Sequence, residues 1–208
     1  MLIKDVLYSG APPIAAILRG VHPDEVIAVA DALITAGVRI IEVPFNSPDP
    51  LASISALQAA FGDMAAIGGG TVLTVQAVEQ LAQTGGRLMV TPNTNCAVIA
   101  RAIELGLEPL PGFVTPSEAF QAIAAGARRL KLFPAVALGP AYLKAIREVL
   151  PADVRVWAVG GTGAGNLREW LAAGAEGIGV GGALYRPGDS AAAVGEKARS
   201  LMVAWGAR

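Results

Sequence analysis

The sequence is short of nearly every residue on which common catalytic and scaffolding chemistries depend. In 208 residues it holds one cysteine, Cys96, and one histidine, His22. A single cysteine excludes an intramolecular disulfide and points to a reducing compartment. A single histidine excludes a His-rich metal site. Its place before Pro23, at an expected helix start, makes it a capping or surface residue rather than a triad base. Cys96 follows Asn95 at another expected helix start and reads as a buried structural thiol. Charge is scarce too, at 16% of residues, and balanced: 16 basic against 17 acidic side chains, net −1. No basic stripe emerges, which excludes a nucleic-acid partner. Aromatics reach only 5%, and Trp157, Trp170 and Trp205 read as packing residues. The most apolar stretch, Val26 to Ile41, is broken by Asp31 and Arg39, so no membrane span is expected. The opening Met1-Leu-Ile-Lys-Asp-Val lacks the apolar run of a signal peptide. A soluble, cytoplasmic protein is the resulting expectation.

What the chain does have is glycine, 25 residues of it, within a composition that is 53% hydrophobic. That balance excludes disorder. Short apolar runs alternate with helix-period stretches along the whole length. Strands are expected near Ile14–Arg19, Arg39–Val43, Ala65–Gly69, Arg87–Thr91, Leu107–Leu110, Arg129–Phe133, Arg155–Val159 and Glu176–Val180. A helical segment follows each, including Pro23–Ala36, Val75–Gln83, Ser117–Ala125 and Pro140–Leu150. Glycines stand where left-handed helix C-caps belong, at Gly37, Gly85, Gly106, Gly126 and Gly174. Strands apolar on both faces and alternating with helices imply a parallel sheet. Eight such units imply a closed (β/α)₈ barrel, one domain over 1–208 with a short N-terminal extension. The competing architecture, an open doubly wound sheet, would use fewer strands and show a nucleotide fingerprint. Gly161-Thr-Gly-Ala-Gly165 and Gly177-Ile-Gly-Val-Gly181 match no such fingerprint.

In a barrel the chemistry sits at the C-terminal ends of the strands, and the polar residues gather there. Arg19 ends the first strand, Glu42 the second and Lys131 lies in the sixth. Gly160-Gly161 follow the seventh and Gly181-Gly182 the eighth. Leu130 and Leu132 flank Lys131, and Ile41 and Val43 flank Glu42. If those neighbours face the helices, Lys131, Glu42 and, by the same parity, Arg19 point into the barrel. A lysine against apolar walls becomes a usable amine nucleophile. A nearby glutamate can shuttle protons, an arginine fork binds a carboxylate, and glycine turns offer N–H groups to a phosphate. The set describes a phosphorylated keto-acid substrate handled through an imine, with no cofactor and no metal. Each residue also has a plain alternative: Lys131 and Glu42 as a barrel-core ion pair, Arg19 as a loop anchor, the glycine pairs as simple turns.

Seven motifs bear on the choice. Ala15-Ala-Ile-Leu-Arg-Gly20, Ile41-Glu-Val-Pro-Phe-Asn-Ser-Pro48, Gly68-Gly-Gly-Thr-Val-Leu73, Val90-Thr-Pro-Asn93, Leu110-Pro-Gly112, Leu130-Lys-Leu-Phe-Pro134 and Ala158-Val-Gly-Gly161 together resemble the 2-keto-3-deoxy-6-phosphogluconate and -phosphogalactonate aldolases. The resemblance runs in order from Pro13 to Tyr185. It implies a class I aldolase on a (β/α)₈ barrel, a homotrimer, releasing pyruvate and glyceraldehyde 3-phosphate. It implies Lys131 as the Schiff-base residue and Glu42 as the proton shuttle. Arg19, Thr71 and Pro92 would lie at the pyruvate end, and Gly160, Gly161, Gly181 and Gly182 at the phosphate. Many members carry Ser where this chain has Gly182, so one hydroxyl donor to the phosphate is missing. Phe45-Asn-Ser-Pro48 and Ala158-Val159, in place of Pro-Thr, resemble the galactonate branch and put Val159 beside the substrate. The rivals are the gluconate-specific enzyme, a sugar-phosphate isomerase or epimerase that needs no imine-forming lysine, and a non-catalytic phosphosugar sensor.

Overall fold

The computed structural model describes residues 1–206. Eight strands alternate with helices: β1 Ile14–Ile17, β2 Ile40–Pro44, β3 Ala66–Gly70, β4 Leu88–Thr91, β5 Glu108–Phe113, β6 Arg129–Leu132, β7 Arg155–Val159 and β8 Gly177–Val180. Each pairs in parallel with the next, and β8 pairs back onto β1, with Ala15 opposite Gly179. The sheet is therefore a closed (β/α)₈ barrel, and the open doubly wound alternative falls. Its outer layer is α2 Val26–Ala36, α3 Pro50–Phe61, α4 Val75–Gln83, α5 Cys96–Glu104, α6 Pro116–Ala124, α7 Ala135–Arg147, α8 Leu167–Ala172 and α9 Ala191–Gly206.

Local chemistry starts and stops these elements where the sequence suggests. Thr115 caps α6 in a reciprocal box with Glu118, and Pro116 opens it, satisfying N–H groups that a helix start leaves free. Gly37 closes α2 at φ 112°, a conformation that penalises any Cβ. Within α7, Gly139 at φ 78° interrupts the helix just before Pro140. The regular part therefore begins at the proline, as expected from the sequence.

Side-chain alternation sorts the strands into two cores. Ile41, Val43, Leu130, Leu132, Ala158 and Ile178 pack outward against the helices. Ala15, Ile40, Ala66, Leu88, Val90, Leu110 and Trp157 fill the barrel. A short N-terminal helix, α1 Ile3–Tyr8, contributes Ile3 and Val6 to that inner core and so plugs the floor. There Arg129, at the start of β6, bridges Glu108 and Glu176. Glu108 accepts the Ile3 N–H at 2.8 Å and Glu176 the Trp157 indole N–H at 2.7 Å. Arg155 also approaches Glu176, at 3.8 Å, so two arginines balance the two carboxylates of the floor.

Two expectations need correction. The first strand stops at Ile17, so Arg19 lies two residues beyond it and is exposed. Cys96 does sit at the start of α5, but exposed rather than buried. The face of α5 that packs inward carries Val98, Ile99 and Ala102, and position 96 falls on the opposite side of that turn.

Candidate active site

Lys131 and Glu42 are the only charged side chains among the described residues that are classed as buried. Glu42 pairs in register with Gly68 on β3 and Lys131 with Gly112 on β5. Both face the barrel interior, because their neighbours in sequence belong to the outer core. Burial pushes the Lys131 amine below the ordinary lysine range and Arg19 adds to that push, while Glu42 opposes it. Burial pushes the Glu42 carboxyl above the ordinary carboxylate range, against the pull of Lys131 and Arg19. One Glu42 oxygen, Oε2, has no hydrogen-bond partner among the described residues. Lys131 Nζ stands 4.7 Å from the centroid of the Phe133 ring. Among the described residues the ion pairs do not include Lys131 with Glu42. The two feel each other's charge without being joined, which removes the core ion-pair reading. A buried amine and a buried carboxyl in one interior have the chemistry a nucleophile and an acid–base group require.

The barrel makes room for that carboxyl at a specific place. A Cβ on Gly70 would stand 1.4 Å from Glu42 Oε2. Gly70 was not singled out from the sequence, although it lies in the Gly68-Gly69-Gly70 run. The signal was available: in a parallel register it is the next inward position beyond the partner of Glu42. The Gly70→Ala variant is expected to displace Glu42 and lower turnover about 10–100-fold, since displacement of an acid–base group by an ångström is that costly. Steady-state kinetics on a variant with native circular dichroism tests this, and normal turnover would show that Glu42 can move freely.

Arg19 reaches the same site from the β1–α2 loop. Its guanidinium donates to Asn46 Oδ1 at 2.6 Å, and Ser47 Oγ accepts the Gly20 N–H at 2.9 Å. The Phe45-Asn46-Ser47-Pro48 segment therefore ties the β2 end to the arginine loop. Arg19 is exposed, but its charge acts on both Glu42 and Lys131, so it stands at the rim of the pocket. Thr71, directly after Gly70, holds φ 55°, a conformation that costs a non-glycine residue energy. Pro92 is half-buried. Its carbonyl would lie 2.2 Å from a Cβ on Gly112, so only glycine there lets the β4–α5 loop close onto β5.

The glycine pairs meet at the mouth after β7 and β8, between the strands that carry Lys131 and lead to Arg19. Gly160 and Gly161 hold φ 96° and 77°, so neither tolerates a side chain cheaply. Val159, just before them, is buried. Thr162 Oγ1 donates to the Gly179 carbonyl at 2.6 Å, and a Cβ on Gly163 would touch that of Ala183 at 3.4 Å. The turn after β7 is thereby docked on the turn after β8. In the latter, the Gly181 carbonyl accepts the N–H groups of Leu184 and Tyr185, at 2.7 and 3.0 Å, while Gly182 is exposed. His22 is exposed at the rim of α2, and its backbone N–H donates to Glu25 at 3.0 Å.

Residues 7–193 match the family model described as KDPG and KHG aldolase. The chain belongs to that family. It is 47% identical over 193 residues to the 2-dehydro-3-deoxy-6-phosphogalactonate aldolase of Escherichia coli K12, covering 93% of this chain and 94% of that one. Against the 2-dehydro-3-deoxy-phosphogluconate aldolase of Treponema pallidum the identity is 33% over 150 residues, 72% of this chain and 70% of that one. Among solved structures, it superposes with a TM-score of 0.93 and 46% identity on a chain of a cube-shaped, highly porous protein cage designed by fusing symmetric oligomeric domains. That match covers 94% of this chain and 73% of the other. Family members of this kind share the barrel. Within it, Arg19, Glu42 and Lys131 lie toward or beyond the C-terminal ends of β1, β2 and β6, and the two glycine turns follow β7 and β8, the strands between β6 and β1.

Proposed function

We propose that this enzyme is a class I aldolase that cleaves 2-keto-3-deoxy-6-phosphogalactonate to pyruvate and glyceraldehyde 3-phosphate. The observation that carries the reading is the pair of buried, oppositely charged groups, Lys131 with a depressed pKa and Glu42 with a raised one. An imine mechanism uses both a neutral lysine and a proton shuttle in one buried interior. An isomerase or a passive phosphosugar sensor needs no imine-forming lysine, and the relatives this chain matches are aldolases.

The steps follow from the groups present. The neutral Lys131 amine adds to the C2 carbonyl, and loss of water leaves an iminium, which draws electrons from the C3–C4 bond. Glu42 accepts the C4 hydroxyl proton as that bond breaks, releasing the phosphorylated aldehyde. The remaining enamine takes a proton at C3, and water then hydrolyses the imine to free pyruvate and Lys131. Arg19 holds the C1 carboxylate, with Thr71 and Pro92 beside the pyruvate carbons. Gly160, Gly161, Gly181 and Gly182 receive the phosphate through backbone N–H groups. The residues of the chain supply every group these steps require, so the proposal includes no cofactor and no metal.

The galactonate branch is favoured by the higher identity to the galactonate enzyme and by Val159, whose buried side chain offers no hydrogen bond to the substrate's hydroxyls. The expected result is a higher kcat/KM for the galactonate epimer. Val159→Thr then raises relative activity on the gluconate epimer by no more than about tenfold, the scale of one hydrogen bond. Both epimers are compared in wild type and variant. A wild type that strongly favours the gluconate epimer rejects the branch while leaving the aldolase.

The proposal extends to the whole particle: residues 1–208 as one domain, assembled as a homotrimer, in the cytoplasm. The likeness to a chain from a cage of fused symmetric oligomeric domains supports the assembly, which analytical ultracentrifugation would measure. No helix among the described residues is long and apolar enough to cross a membrane.

A further inference from the structure

A phosphate monoester carries close to two negative charges at neutral pH, and glycine turns offer it only partial charges. The carboxylate end of the proposed substrate faces Arg19 and Lys131. The four glycines proposed for the phosphate end carry no charge. One side chain at that end answers the need. Arg186 lies four residues beyond Gly182, and its Nε–H donates to the Gly182 carbonyl at 3.0 Å. A Cβ added to Gly182 would stand 3.7 Å from the same Nε. The guanidinium therefore lies over the face of Gly182 that a side chain would otherwise occupy, the position where many relatives place a serine hydroxyl.

The segment carrying Arg186 is held from several directions. Tyr185 donates its backbone N–H to Gly181 at 3.0 Å and its phenol to Glu25 at 2.8 Å. Burial and the Glu25 bond hold that phenol above its usual range, so it remains a donor. A Cβ on Gly20 would meet Pro187 at 2.7 Å, so this loop abuts the Arg19 loop. The Arg186 N–H donates to Asp189 at 2.8 Å, and the same carboxylate pairs with Lys197 at 2.6 Å. Asp189 is bonded to Lys197 and also feels the Arg186 charge, but among the described residues the Arg186 guanidinium stands in no ion pair. It is an exposed cation on a braced turn, with its Nε fixed to that turn and the outer fork directed by it.

We propose that Arg186 is a phosphate-binding residue whose guanidinium clamps the substrate's 6-phosphate over Gly182, supplying the contact that a side-chain hydroxyl makes elsewhere. This rests on the reading that the glycine turns hold the phosphate. A planar fork with two free N–H pairs suits a phosphate's paired oxygens, and the missing side chain at 182 leaves it the room.

The test measures the ratio of kcat/KM for 2-keto-3-deoxy-6-phosphogalactonate to that for its dephosphorylated form. In Arg186→Gln the ratio is expected to fall about 10–100-fold, mainly through a higher KM for the phosphorylated substrate, the range of a charge-assisted contact. Arg186→Lys keeps the charge without the fork and is expected to retain part of the ratio. Native Tm in both variants shows that the turn is folded. A ratio within twofold of wild type in Arg186→Gln overturns the proposal while the glycine site stands. Equal losses in Gln and Lys overturn it as a charge clamp. A wild type that does not distinguish the two substrates overturns the glycine site itself, and the proposal with it.

Discussion

Incubation with pyruvate and borohydride is expected to add one reduced adduct to the wild-type protein, and Lys131→Ala to abolish it. Among the lysines, only Lys131 is buried, and that burial drives its amine below the ordinary range. Lys4 and Lys197 lie on exposed or partly exposed helix faces, and Lys197 is tied to Asp189. Below its pKa an amine is protonated and cannot attack. A depressed pKa moves the neutral form to lower pH, so the acid limb of adduct formation should lie below the range of an ordinary lysine. Lys131→Met provides the control for folding. It fills the site without charge, and Glu42, relieved of its positive neighbour, takes up a proton. Burying an ammonium costs stability rather than adding it. Lys131→Met should therefore show a Tm no lower than wild type while losing both adduct and turnover. Turnover is expected to fall by at least about 10⁴-fold, because no second group forms the covalent intermediate. An adduct of the same mass in Lys131→Ala, mapped by peptide digestion to another lysine, would remove Lys131 from the mechanism.

The parts of the site that were legible in the sequence are those governed by strand periodicity. The apolar flanks Ile41 and Val43, Leu130 and Leu132 were enough to turn Glu42 and Lys131 inward, because a strand alternates faces without exception. The eight-unit alternation led to the closed barrel for the same reason. Loop geometry was not legible. Arg19 follows the parity of Ile17, but β1 ends before it, and its position is set by Asn46, a contact spanning 27 residues. The clearance that Gly70 gives Glu42 depends on the register between β2 and β3, which periodicity alone does not state. Cys96 is exposed where the sequence suggests burial, because a helix start shows too few residues to reveal which face packs. The plug formed by α1 was read only as an extension, since six residues carry too little pattern to show that Ile3 and Val6 enter the barrel.

Glu42→Gln is expected to lower turnover by about 10²–10⁴-fold while leaving imine formation at least partly intact. The amide keeps the shape that the space beside Gly70 accommodates, so the effect reports proton transfer rather than packing. Glu42 Oε2 has no hydrogen-bond partner among the described residues, and a buried carboxylate left unsatisfied is available to the substrate hydroxyl. Its raised pKa makes it a better base than a solvated glutamate and, once protonated, leaves it able to return the proton to the enamine carbon. The sign of the pH effect follows. C4 deprotonation requires the carboxylate, so the wild-type rate should rise with pH through a pKa above the ordinary glutamate range. That limb should be missing from the profile of Glu42→Gln. The borohydride adduct separates the two roles. In Glu42→Gln the adduct with pyruvate persists while cleavage of the phosphorylated substrate fails, whereas Lys131→Ala loses both. Near-normal turnover in Glu42→Gln would assign the proton to another group, and loss of the adduct in step with turnover would place Glu42 in imine formation rather than in C3–C4 cleavage.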